Sequence, residues 1–86
     1  MKKNTITQEQ ITNIMENSQI EVITMGLKTT VVSFTLPNGF VIVDSSSCVD
    51  VVNYDEQMGK EIVLKRIENK VWELEGYKLQ CEMSNK

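Results

Sequence analysis

The stretch DEQMGKEIVLKRIENKVWEL, residues 55–74, decides the fold, because no other part of the chain can build a long helix. At about 100° per residue, Val63, Leu64, Ile67, Val71 and Leu74 share an arc roughly 100° wide, the footprint of a helix on a sheet. Tyr54, Met58, Ile62 and Trp72 fall on a roughly opposite arc. One layer of sheet cannot cover both. The second arc is left for the N-terminal helix, for the C-terminal tail, or for another subunit. Asn53 or Asp55 can cap the helix start, where Asp55 and Glu56 also suit the positive end of the dipole. Gly76 stands where a C-cap glycine would close the helix. Beyond it Tyr77, Leu79, Cys81 and Met83 alternate, as in a last strand or an extended tail.

Upstream lies the surface this helix needs. Residues 29–36 and 40–44 are rich in β-branched and aromatic side chains and are separated by Pro37-Asn38-Gly39. Asn-Gly between two such runs predicts a two-residue hairpin turn, whose central positions both take positive φ. That turn sets Leu36 opposite Val41, Phe34 opposite Val43, and Val32 opposite Ser45. Val32, Phe34, Leu36, Val41 and Val43 then form the apolar face, and Thr29, Ser33, Thr35 and Asp44 the other. Residues 19–25 read as a further short strand or extended arm, broken at Met25-Gly26-Leu27. Before it, Thr7 and Gln10 have the spacing of a capping box, and Ile6 can staple to Ile11. Ile11, Ile14 and Met15 continue as a short helix ending near Asn17-Ser18, too short to persist in water unless docked. The expected fold is therefore α+β: a short N-terminal helix, an antiparallel sheet around the Asn-Gly hairpin, and one long helix packed on it.

Eighty-six residues make a single domain over residues 1–86, with residues 1–5 expected to fray. A chain of this size buries only about 60–65% of its unfolded surface, which favours a homo-oligomer over a lone monomer. The net charge of −3 argues against duplex nucleic acid as a partner, since phosphate neutralisation calls for a basic surplus. No apolar run of membrane-spanning length occurs, and MKKNTITQEQ lacks the apolar core of a signal peptide. Cys48 and Cys81 lack metal-ligand spacing and read as reduced thiols in a cytoplasm.

Candidate chemistry is sparse. The chain has no histidine, no glycine-rich phosphate loop, and no carboxylates at metal spacing, so no metal or cofactor is expected. Cys48 after three serines lacks a partner base and reads as part of a bend, so an enzyme is not expected. The cations of the long helix are more informative. Glu56–Lys60 and Glu61–Lys65 are ordinary i,i+4 pairs. Arg66 has Ile62, Val63, Asn69 and Lys70 one turn away and no carboxylate among them. Arg66 and Lys70 lie at the rim of the apolar stripe, where an arginine can hold a phosphate or carboxylate in bidentate fashion. The competing reading is a pair of snorkelling rim cations, with Lys70 facing Glu73. Phe40, Tyr54 and Trp72 can stack on a base, although core packing is the commoner use of each.

Four ordered blocks resemble a family of small tailed-phage and prophage proteins. They are the T-L-x-N-G-F hairpin at residues 35–40, S-x-C-V at 46–49, N-[YF]-D-x-x-x-G at 53–59, and [IV]-W-x-L-E-G-Y at 71–77. The resemblance covers residues 28–80. It departs at Asp50-Val51, where aspartate-proline is expected, and this implies a looser bend before the helix. The resemblance extends to the phage sponge proteins that counter the Thoeris defence system. Those sequester cyclic ADP-ribose-type signals without cleaving them, as oligomers in the host cytoplasm, and some take cyclic dinucleotides. It implies a pocket with stacking, amide and cationic groups, for which Phe40, Asn53, Arg66 and Lys70 are the candidates by chemistry. Lys70 would stand where an arginine fork suits better. The alternative is a small phage accessory protein that binds and inhibits a host protein through the Met58–Ile62–Trp72 face.

Overall fold

The structure is a computed structural model and describes residues 5–84. The frayed segment expected at residues 1–5 thus lies, but for Thr5, outside the described residues. Element order is α1 (Gln8–Glu16), β1 (Gln19–Met25), β2 (Thr29–Thr35), β3 (Val41–Ser47), a 3-10 turn (Val51–Asn53) and α2 (Glu56–Ser84). The strands form one antiparallel sheet in the order β1-β2-β3, and α2 packs on β2 and β3 with α1 against α2. The α+β architecture read from the sequence is the architecture found.

The α1 start follows its signals in part. Thr7 is the N-cap and its hydroxyl accepts from Gln10 N–H at 3.2 Å. The reciprocal half of the capping box is absent: Gln10 Oε1 is buried without a partner. Ile6 and Ile11 both join the core, and Asn17 caps the other end.

The hairpin differs by one residue, with large consequences. Leu36 O accepts from Gly39 N–H at 2.8 Å, and Leu36 N–H donates to Phe40 O at 2.8 Å. Pro37-Asn38-Gly39 is therefore a three-residue loop, with Gly39 at φ +94° and Asn38 at negative φ. Proline fixes φ near −65° and so favours a type I turn at Pro37-Asn38, closed by a left-handed glycine, over the mirror-image two-residue turn. Thr35 then faces Val41, Phe34 faces Ile42, Ser33 faces Val43 and Val32 faces Asp44. A one-residue slip exchanges the faces of a strand. Ile42 is buried while Val41 and Val43, expected inside, are 51% and 62% exposed. Asp44, expected on the outer face, points to the helix side. The β2 half of the expected face holds: Val32 and Phe34 are buried and Leu36 packs on them.

The core is Ile11, Val32, Phe34, Ile42, Val63, Ile67 and Val71, with Leu64, Trp72 and Leu74 packed against it. Each fully buried aliphatic side chain contributes roughly 1.5–3 kcal/mol. Trp72, expected to share an outward arc with Met58 and Ile62, is half-buried against this core. Met58 and Ile62 remain 60% and 47% exposed.

The end of α2 also differs from expectation. Gly76 does not close the helix: its φ is not positive, and α2 continues for 29 residues to Ser84, so the alternating tail is helical. One interior glycine costs a helix only about 1 kcal/mol, and the turn that follows carries half-buried Leu79.

At its other end α2 meets the sheet closely. Asp55 caps it, accepting from Gln57 N–H at 2.9 Å and Met58 N–H at 3.3 Å. The Tyr54 hydroxyl bridges Thr30 Oγ1 at 2.7 Å and Thr24 Oγ1 at 2.8 Å. One turn on, Gly59 is buried directly over the fully buried Thr30, where a Cβ would lie 2.8 Å from Thr30 Cβ and closer still to Oγ1.

Candidate functional site

Arg66 projects from the middle of α2 toward β3. Its Nη1 donates to the Ser45 carbonyl at 2.9 Å and lies 3.5 Å from Asp44 Oδ2. Neither side chain is deep: Arg66 is 49% and Asp44 37% exposed. Such a pair is screened and is worth at most about 1 kcal/mol. Its value is geometric, since it fixes where the guanidinium plane points. Both contacts use Nη1, and Nε and Nη2 bond to none of the described residues. One turn along the helix Arg66 has no carboxylate, and its partners come from β3 instead. The missing helical carboxylate was the signal that the partner lay elsewhere.

The Ser45 contacts do a second thing. The ladder continues past both ends of β3, with Leu36 N–H to Phe40 O and Cys48 N–H to Lys28 O at 2.9 Å. Even-numbered residues of β3 therefore turn their backbone groups to β2, and Val41, Val43, Ser45 and Ser47 turn theirs outward. At Ser45 both outward groups are occupied, the N–H by Asp44 Oδ1 at 2.8 Å and the carbonyl by Arg66. Asp44 and Arg66 plug the free edge of the sheet at mid-strand.

Lys70 is exposed one turn beyond Arg66 and forms no ion pair among the described residues. The i,i+4 pairs expected at Glu56–Lys60 and Glu61–Lys65 do not close to ion-pair distance. Glu56 accepts instead from Thr24 Oγ1 at 2.6 Å, and Glu61 from Gln57 at 3.3 Å. Phe40, 52% exposed, sits at the hairpin end of β3, whereas Asn53 follows its opposite end. A seven-residue strand spans roughly 24 Å, so Phe40 and Asn53 do not share a pocket within one chain. The four candidates divide into Arg66 with Lys70 on the α2 flank, and two outliers.

Asn53 lines a cleft of about 100 Å³ with Ser46, Ser47, Cys48, Tyr54, Met58 and Ile62. Cys48 Sγ donates to the Asn53 carbonyl at 3.6 Å and is accounted for by the bend. Asp50 caps the 3-10 turn, accepting from Val52 N–H at 3.0 Å, and Lys28 Nζ donates to Val49 O at 2.7 Å. The bend thus holds its shape without the proline. A larger cavity, about 390 Å³, is an open groove between α1 and α2 lined by Met15, Glu16, Glu61, Leu64, Lys65 and Glu68, away from Arg66. Among the described residues no group of three His, Cys, Asp or Glu side chains could hold a metal, and no helix is long and apolar enough to cross a membrane.

Three of the motif blocks now have physical explanations. T-L-x-N-G-F builds the hairpin loop, S-x-C-V the bend, and N-Y-D-x-x-x-G the Tyr54 bridge, the Asp55 cap and the close approach at Gly59. No curated protein and no solved structure matches the chain. A family model does, over residues 6–83, which takes in α1, the whole sheet and nearly all of α2. The chain belongs to the Phage protein (N4 Gp49/phage Sf6 gene 66) family.

Proposed function

We propose that this phage protein is an anti-defence sponge. It binds a cyclic nucleotide immune signal, of the cyclic ADP-ribose type or a cyclic dinucleotide, in the host cytoplasm and holds it without cleaving it. The observation that carries this reading is Arg66, a guanidinium anchored on one side by Ser45 and Asp44 with its remaining N–H groups free. An arginine held in this way is pre-organised for a phosphate, with less side-chain entropy left to lose on binding. Lys70 adds charge one turn on, and Met58 and Ile62 offer exposed apolar surface along the same helix for a base or ribose. Ligand sites usually enclose most of a small molecule, and the cavities of one chain are open or small. A second copy laid on this flank of α2 would supply the other wall, and it is there that Phe40 or Asn53 of a neighbour could enter.

The test is a thermal-shift series with cyclic ADP-ribose isomers and cyclic dinucleotides. A ligand at a hundred times its Kd stabilises by about 2.7 kcal/mol. For a domain of this size that raises Tm by roughly 10–20 °C. Denaturing the complex should return the nucleotide intact. No shift with any of these ligands sinks the sponge reading.

A second reading rests on the exposed valines of the bend, Val49 at 94% and Val52 at 83%, whose chain neighbours Cys48 and Asn53 line a cleft with Met58 and Ile62. Such a patch suits an inhibitor of a host protein. Alanine or serine at Val49 and Val52 would abolish that activity and leave nucleotide binding intact.

A further inference from the structure

The two edges of the sheet are treated differently. On β3 the mid-strand groups of Ser45 are occupied by Asp44 and Arg66. On β1 nothing comparable exists. Because even-numbered residues of β2 bond to β3, its odd-numbered residues bond to β1, in the pairs Gln19–Thr35, Glu21–Ser33, Ile23–Val31 and Met25–Thr29. The N–H and C=O groups of Ile20, Val22 and Thr24 therefore point outward. No turn, cap or side-chain bond among the described residues reaches them. The strand runs seven residues in unbroken register, with no proline, lysine, arginine or bulge. These are the main devices by which natural proteins protect an edge; the one charge of the strand, Glu21, stands on the face away from the helices and leaves the outward groups open to pairing.

The layer above repeats the asymmetry. The helices cover β2 and β3, and Ile20, whose side chain points to the helix side, remains 41% exposed. Val22 beside it is half-buried. On the opposite face Ile23 and Met25 are 50% and 58% exposed. β1 is thus bare along its edge and thinly covered on both faces.

We propose that β1 pairs with β1 of a second copy of this chain, antiparallel across a two-fold axis at Val22, to make a continuous six-stranded sheet. The register follows from the residues. With Val22 facing its counterpart, Ile20 faces Thr24 of the second copy, so the outward groups of Ile20, Val22 and Thr24 all find partners. Glu21 then faces Ile23, and Gln19 faces Met25. Centring on Glu21 instead would set two carboxylates opposite each other, which is unfavourable. Centring on Ile23 would leave the start of the strand unpaired. The proposal is independent of any ligand, and uses a surface other than the α2 flank that carries Arg66.

The closing experiment combines sedimentation equilibrium with residue-resolved amide hydrogen exchange on the unliganded chain. The expected result is a species of twice the 9.8 kDa chain mass, or a multiple of that dimer. In it the Ile20, Val22 and Thr24 amides exchange nearly as slowly as those of Glu21 and Ile23. In Val22→Pro, sedimentation should show loss of this pairing, and the Ile20 and Thr24 amides should exchange at least roughly tenfold faster. The substitution removes an outward N–H and leaves the bonds to β2 in place. Should Val22→Pro lose its circular dichroism, Ile20→Lys, at an exposed edge position, takes its place with the same expected dissociation. A species of 9.8 kDa at all concentrations overturns the pairing. So does an assembly in which the Ile20, Val22 and Thr24 amides exchange freely, or one unchanged in a folded edge variant. Ligand titration separates these results from failure of the nucleotide reading: a chain that stays monomeric yet binds nucleotide loses the β1 pairing and the neighbour's wall, but not the ligand site itself.

Discussion

Gly59→Ala should destabilise the protein, although alanine is the better helix former. In an exposed helix interior the change gains about 1 kcal/mol. Here the new methyl would lie 2.8 Å from Thr30 Cβ, and Thr30 is fully buried on the central strand. Either α2 lifts from β2 or Thr30 moves, and overpacking of this kind costs about 1–3 kcal/mol. Moving Thr30 also breaks its bond to the Tyr54 hydroxyl, for a further cost of about 1 kcal/mol or more. The net expectation is a loss of roughly 1–3 kcal/mol, or about 4–20 °C in Tm for a domain of this size. Gly76→Ala is the internal control, because nothing lies within 4 Å of a Cβ there. It should gain up to about 1 kcal/mol. Urea and thermal unfolding followed by circular dichroism read both variants. If Gly59→Ala proves neutral or stabilising, the close approach of α2 to Thr30 is wrong.

Val43→Lys should change stability by less than about 0.5 kcal/mol, because the side chain is on the open face, whereas Ile42→Lys should unfold the domain. The reverse order, with Val43→Lys unfolding the domain and Ile42→Lys tolerated, would mean that the register is the two-residue-turn one. Tyr54→Phe removes both hydroxyl bridges and leaves buried Thr30 without its partner; a loss of about 1–3 kcal/mol by urea denaturation is expected. Ile67→Ala, at a site 1% exposed, should cost about 2–5 kcal/mol in the same assay.

The sequence made the element types legible where the hydrophobic period was long or the cap chemistry local. The Thr7 cap and the stripe Val63, Ile67, Val71 are legible for that reason, and of the two cap candidates Asn53 and Asp55 it is Asp55 that takes the role. What escaped depended on single dihedrals or on neighbours distant in sequence. Asn38-Gly39 signals a turn, but Pro37 selects which turn, and the choice sends Ile42 inward in place of Val41 and Val43. Gly76 resembles a cap, yet the helix runs through it, since one interior glycine costs only about 1 kcal/mol. Gly59 closes the N-Y-D-x-x-x-G block, but only the approach of Thr30 explains why a glycine is needed there. Arg66 was singled out for lacking a helical partner, and its actual partners, Asp44 and Ser45, lie 22 and 21 residues away. The candidate site was therefore legible as a cation at a rim. Its anchoring was not, and neither was the separation of Phe40 from Asn53.

The most direct test of the sponge reading is calorimetric titration of cyclic ADP-ribose isomers and cyclic dinucleotides into the native protein and into Arg66→Ala. The variant forfeits a half-exposed ion pair and the hydrogen bond to the Ser45 carbonyl, and should stay folded with a Tm lower by no more than roughly 5–15 °C. Saturable binding to the native protein, lost in the folded variant, with the nucleotide recovered intact, is the expected result. Absence of binding to the native protein, or equal binding to both, would contradict it.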